Sequence, residues 1–193
     1  MAPSRWSFVL ADALVGLLLM ALLLLTHSLG ADWFRRPLGT MKGPRVLVEK
    51  SRGVLSVRDG SRLVKKYHVI TGLAKGDKEK EGDKRTPEGD FCVCYLNPQS
   101  KYTLSLGLSY PDIEHARRGL RSGLITHEQF NAIVQAINGG GQPPWDTPLG
   151  GEIMIHGAGI NRPGTLGCIG MADDDIRELY PALPIGTRVK IVP

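Results

Sequence analysis

Two residues in this chain have the types and spacing for nucleophilic acyl chemistry, His156 and Cys168. His156 closes an apolar run, EIMIH from Glu152, and Gly157 follows at once. Thr165-Leu166-Gly167-Cys168 comes next, with the cysteine twelve residues after the histidine. A cysteine attacks as its thiolate, so it needs a nearby base or a depressed pKa. A histidine at a strand end can be that base if the connecting loop folds back. Gly157, Gly159, Gly164 and Gly167 permit the return. Cys168 is then the nucleophile and His156 its base and proton donor, and the thiol pKa is expected to fall while His156 is present. The backbone amides of Gly167 and Cys168, with Gly157, are the candidate oxyanion donors. A third group must orient the imidazole. The loop holds no Asp and a single Asn, Asn161, so a backbone carbonyl is the candidate. His68, His115 and His127 read as structural or surface residues.

The elements that must position this pair are mostly strands. Arg45–Lys50, Val54–Arg58, Leu63–Thr71, Asp90–Leu96, Thr103–Leu106, Glu152–His156 and Thr187–Val192 are short runs rich in Val, Ile and Leu. Asp59-Gly60 is a hairpin signal between the second and third. Helices are expected at Asp112–Gly119, at Thr126–Asn138 with a Thr-x-x-Gln capping box, and at Asp173–Tyr180 with Asp173 near the N-cap. Strands are too frequent and helices too few for a doubly wound sheet, which leaves a mostly β fold with a few peripheral helices. The run KGDKEKEGDKR, Lys75–Arg85, mixes both signs and reads as a solvated, mobile loop.

The N-terminus suggests where the chemistry takes place. Ala13–Leu25 carries no charge but as a helix spans only ~20 Å, short of the ~30 Å core of a bilayer. From Phe8 the run reaches ~27 Å but includes Asp12. An uncleaved membrane anchor is expected over a cleaved signal ending before Ala31. Residues 1–30 are thus anchor or signal peptide, one N-terminal hydrophobic helix; 31–44 a linker; and 45–193 one catalytic domain outside the cytoplasmic membrane. The net charge of +5 suits an anionic wall or membrane surface. Nucleic acid is a poor partner, since no basic stripe with interleaved aromatics occurs. Of three cysteines, Cys92 and Cys94 alternate on one strand face and read as small apolar residues, a strained C-x-C disulfide being the alternative, and no zinc spacing is present. Cys168 is left as a free thiol.

His156-Gly157 followed by Thr165-x-Gly167-Cys168 resembles the signature of the YkuD-type L,D-transpeptidase catalytic domain. Thr86-Pro87-x-Gly89-x-Phe91 and the closing DDDIRELYPALPIGTRVKIV resemble the same family, and together these cover roughly Arg45 to Pro193. The resemblance implies a β-sandwich or barrel-like fold with no metal or organic cofactor. It also implies peptidoglycan stem peptides as partners. Cys168 would attack the carbonyl of the third stem residue, release the terminal D-alanine and pass the acyl group from a thioester to an amine. A hydrolase using the same Cys/His site, and a non-catalytic wall-binding module, are the alternatives. Many members carry Arg shortly after the cysteine and His before the Gly-Cys pair; here Gly170, Met171 and Leu166 occupy those places. That leaves the acceptor open. It makes Arg162 a candidate for holding a substrate carboxylate, with Thr165 a further candidate substrate-binding residue.

Overall fold

The computed structural model describes Met20 and residues 33–193. Apart from Met20, the segment expected to anchor or export the chain lies outside the described residues. Among the described residues, no helix is long and apolar enough to cross a membrane. The chain divides into two compact units, Met1–Arg36 and Pro37–Pro193.

In the second unit, eight strands form one sheet. They are β1 (Pro44–Glu49), β2 (Val54–Asp59), β3 (Arg62–His68), β4 (Gly89–Asn97), β5 (Ser105–Leu108), β6 (Met154–His156), β7 (Ile169–Gly170) and β8 (Arg188–Val192). The spatial order is β3-β2-β1-β8-β4-β5-β6-β7. The β1–β8 and β6–β7 pairs are parallel and the others antiparallel. Alternation places the apolar residues on one face. Val46 and Val48 of β1, Phe91 and Val93 of β4, and Val189 and Ile191 of β8 are buried, while Arg188 and Lys190 point outward. These join Leu55, Val57, Leu106, Leu108 and Ile155 in one core.

The sheet curls until its two edges meet. Ile70, just past β3, exchanges both backbone hydrogen bonds with Gly170 of β7, at 2.8 and 2.9 Å, and Gly72 bridges to Thr165. The fold is therefore a single curled sheet, a half-barrel, where the sequence left sandwich and barrel-like both open. Strand β7 escaped the sequence reading because two residues, one of them glycine, carry no periodicity.

Helices α1 (Ile113–Arg121) and α2 (His127–Asn138) pack over a second apolar cluster of Ala116, Ile125, Ile133 and Leu149. The capping box on α2 is present, with Thr126 and Gln129 each bonding the other's backbone N–H. Helix α3 (Asp173–Leu179) buries Ile176 and Leu179 against the sheet. Its N-cap is Ala172 with no side-chain cap bond; Asp173 is turned to other partners described below.

Two expectations about loops need correction. The charged run is solvated along most of its length, as expected, but it is built around a buried ion pair that holds its shape. Lys78 is 3% exposed and bonds Asp83 at 2.8 Å. Asp83 also accepts from the N–H groups of Glu79, Lys80 and Arg85, so one carboxylate organises the whole turn. The expected linker also docks in part. Leu38 and Met41 pack against the core, and the Leu38 N–H donates to Glu178 Oε1 at 2.7 Å. Cys92 and Cys94 are free thiols, half-buried, and burial pushes Cys94 up to about 11.

Candidate active site

Strand register assembles the floor of a cleft. Asn97 of β4 pairs with Ser105 of β5, and Ser105 with His156 of β6; two residues along, Tyr95 pairs with Gly107 and Gly107 with Met154. Loops wall this floor to enclose a cleft of about 1320 Å³. Four sequence-identified side chains line it together: His156, Arg162, Thr165 and Cys168.

His156 is 6% exposed, and its Nδ1 lies 2.6 Å from the Gly157 carbonyl oxygen. A carbonyl only accepts, so Nδ1 carries the proton and neutral Nε2 keeps its lone pair. The orienting group is thus a backbone carbonyl. Burial pushes the imidazole pKa below its ordinary value; the Gly157 carbonyl opposes this and the nearby Arg162 charge adds to it. The Tyr102 ring stacks on the imidazole at 4.6 Å and 25°, and the Arg162 guanidinium sits 5.6 Å from the centre of the same ring. The ring fixes the imidazole plane and links Arg162 to it.

Behind His156 the backbone is tightly held. A Cβ on Gly157 would lie 2.6 Å from Asp173 Oδ1 and 2.8 Å from the Tyr102 carbonyl oxygen, so only glycine fits. Asp173 accepts from the Ala158 N–H at 2.7 Å and the Thr103 hydroxyl at 2.8 Å. Both donors have positive φ, 54° and 74°, in a region costly for residues other than glycine. One carboxylate therefore holds the turn after the histidine and the loop carrying Tyr102.

Cys168 follows Gly167, whose φ of 141° suits glycine. The Cys168 carbonyl accepts from the Thr165 hydroxyl at 2.6 Å and from the Thr86 hydroxyl at 3.4 Å. Thr86 Oγ1 also accepts from the Gly72 N–H at 2.8 Å, which ties the Thr-Pro turn to the cysteine turn. The thiol lies 3.5 Å from the Glu152 carbonyl oxygen, and Glu152 has a φ of 53°. Burial pushes the Cys168 thiol up, with the Met154 N–H and Lys78 working against that and Glu152 adding to it. The expectation of a depressed thiol pKa is corrected here: burial outweighs the groups that favour the thiolate.

Two further expectations change. The Gly167 N–H donates to Thr165 Oγ1 at 3.1 Å and the Gly157 N–H to the Leu104 carbonyl at 3.4 Å. Both amides are engaged within the protein, which leaves the Cys168 N–H of that trio for an oxyanion. The Thr165 hydroxyl shapes the cysteine turn, so its hydrogen bonds run to the protein rather than outward. Tyr102, Asp173, Glu152 and Lys78 were missed from sequence because each acts across the fold. Thr86 alone had a local signal, its Thr-Pro turn. Among the described residues, no three His, Cys, Asp or Glu side chains gather to hold a metal ion.

Solved structures share this architecture. Pgp2, a helical cell shape determining protein of Campylobacter jejuni, superposes with a TM-score of 0.54 at 21% identity, covering 83% of this chain and 52% of that one. Bd1075 of Bdellovibrio bacteriovorus does so with 0.51 at 20%, covering 81% and 52%. The present chain spans about half the length of these two proteins, and at such identities the likeness is one of fold. No curated protein sequence matches the chain. Residues 43–191 match the family model of the YkuD L,D-transpeptidase catalytic domain, a stretch that takes in the half-barrel, the Thr86 turn, His156 and Cys168. On that match the chain belongs to the YkuD family of L,D-transpeptidase catalytic domains.

Proposed function

We propose that this chain is a peptidoglycan L,D-transpeptidase, with Cys168 as nucleophile and His156 as base and proton donor. The observation that carries the reading is the 2.6 Å contact of His156 Nδ1 with the Gly157 carbonyl, in a cleft shared with Cys168. The histidine's Nδ1 proton is held by that carbonyl and its Nε2 is free to accept. In the first step Nε2 takes the thiol proton and Sγ attacks the carbonyl of the third stem residue. The Cys168 N–H supports the oxygen that becomes negative. The C–N bond breaks, His156 returns the proton to the departing D-alanine amine, and a thioester remains. An acceptor amine then attacks the thioester carbonyl and gives its proton to His156. The C–S bond breaks and the thiol is restored.

Arg162 stands at the cleft with its guanidinium over Tyr102, suited to a substrate carboxylate in place of the arginine found after the cysteine in many relatives. At about 1320 Å³ the cleft exceeds what one small ligand fills, a size that suits peptide substrates. Such a substrate places the domain in the periplasm or outside the cytoplasmic membrane, with the N-terminal segment as its anchor.

The test is product analysis with a tetrapeptide stem donor and an isotopically labelled amine. Label in the product is the expected result. Free tripeptide acid alone, even at high amine concentration, would mean a hydrolase. Intact donor would leave the wall-binding module.

A further inference from the structure

Among the described residues that line the cleft, Lys78 is a buried charge that neither the family pattern nor the mechanism above uses. It sits in the loop between β3 and β4 and lines the same cleft as Cys168. Its side chain is 4% exposed and that of Asp83 is 9%. Burying an ammonium is costly unless it is paired and hydrogen-bonded. Lys78 meets that condition through Asp83 Oδ1 at 2.8 Å and the Lys80 carbonyl at 2.9 Å, and it faces the Tyr110 ring at 5.9 Å. The surrounding loop is built into the nucleophile's support. The Glu81 N–H donates to the Pro148 carbonyl at 2.9 Å, bracing the segment that presents the Glu152 carbonyl to the thiol. Arg85 and Thr86 lie against Gly167 and the Cys168 carbonyl.

We propose that Lys78 is an electrostatic positioning residue of the acyl-transfer site, its ammonium stabilising the negative charge that develops at Cys168 as the thiol ionises and attacks. The inference rests on Cys168 being the nucleophile. The ionisable groups that line the cleft with that thiol include His156 from β6, Glu152 from the segment before it, Lys78 and Glu81 from the β3–β4 loop, and the exposed Lys101 and Arg162. Glu152 disfavours a thiolate. His156 carries no charge until it has taken the proton. Lys101 and Arg162 are exposed and lie over the Tyr102 ring, so Lys78 is the buried positive charge of that lining, and Asp83 keeps it protonated while offsetting part of its field. Glu81 and Tyr110 are the other titratable groups near it.

The pair gives a test with opposite signs. The pH dependence of iodoacetamide alkylation at Cys168 is measured by intact mass in the full chain, for wild type, Lys78→Met, Lys78→Arg and Asp83→Asn. Thermal melts confirm that each is folded. Lys78→Met should raise the alkylation midpoint by roughly 0.5–1 pH unit, a loss of roughly three- to tenfold in thiolate at fixed pH. Lys78→Arg should restore the midpoint. Asp83→Asn should lower it, since the cation then loses its counter-charge. A loop with a purely structural role would move Met and Asn variants in the same direction, and that result overturns the proposal. So does an unchanged midpoint in folded Lys78→Met. If Lys78→Met does not fold, Asp83→Asn decides alone: a raised or unchanged midpoint rejects the role. Cys168→Ala, which should show no alkylation at this site, separates failure of this inference from failure of the nucleophile assignment.

Discussion

His156 and Cys168 have pKa values pushed apart by the same burial. The imidazole is lowered and the thiol raised, so near neutral pH both groups are uncharged. A resting thiolate–imidazolium pair is disfavoured, so in the proposed mechanism His156 removes the proton as the thiol attacks. Acylation should therefore rise with pH through a midpoint below that of an ordinary histidine, because the base is competent only when Nε2 is unprotonated. In His156→Ala that limb should vanish, leaving a slow reaction that increases only as the thiol itself ionises, above the range of a free cysteine. Stopped-flow acylation across pH 4–10 checks both curves. An unchanged low-pH limb in His156→Ala would assign the base elsewhere.

At the scale of elements, the site is held by the turn that follows β6 and by its tie to the start of α3. Asp173 joins the N-terminus of α3 to Ala158 and Thr103, and Gly157 fits where no Cβ can. Gly157→Ala should force Asp173 or the Tyr102 backbone to move, at a cost of about 1–3 kcal/mol. It should also lower acylation at least tenfold while the protein stays folded, since displacement by about 1 Å is enough to disrupt attack geometry. Denaturant unfolding and single-turnover kinetics measure the two effects. Much of this region was legible in sequence. His-Gly, the Thr-x-Gly-Cys turn and the α2 capping box each place a residue type that its local geometry demands. Asp173 was read as a helix cap because a carboxylate at a helix start has that local use. Its actual partners are 15 and 70 residues away. Tyr102 and Lys78 were hidden for the same reason. Stacking across a curled sheet leaves no periodic trace, and a mixed-sign run does not show which of its charges is buried.

Across the whole domain, a second polar centre ties the loop between β3 and β4 to α1. His115 is 2% exposed, with Nδ1 at 2.6 Å from Asp112 and Nε2 at 3.1 Å from Asp77. Ionised carboxylates only accept, so both ring nitrogens carry protons. Burial lowers the His115 pKa, but the two carboxylates outweigh it and the net direction is upward. Asp77, which also pairs with Arg118 and accepts from the Glu88 N–H, is held down at about 2 despite its burial. With a folded pKa above the unfolded value, the stabilisation is full below about pH 6.5 and fades as pH rises through the folded pKa. His115→Gln should cost about 3 kcal/mol at pH 5.5, the low end for a broken buried pair because the carboxylates keep some solvent. The gap from wild type should narrow with rising pH. Because His156 contributes the opposite slope in both proteins, the difference between them isolates His115. A gap independent of pH would mean that His115 is neutral.

The most direct test of acyl transfer is intact-mass analysis of the full chain mixed briefly with a tetrapeptide stem donor and no acceptor. Wild type should gain the mass of the donor less D-alanine, localised by peptide mapping to Cys168 and released by hydroxylamine as expected of a thioester. Cys168→Ala, folded by thermal melt, should gain nothing. An adduct that persists in Cys168→Ala, or wild-type turnover with the adduct on another residue, would contradict the assignment of Cys168 as the nucleophile.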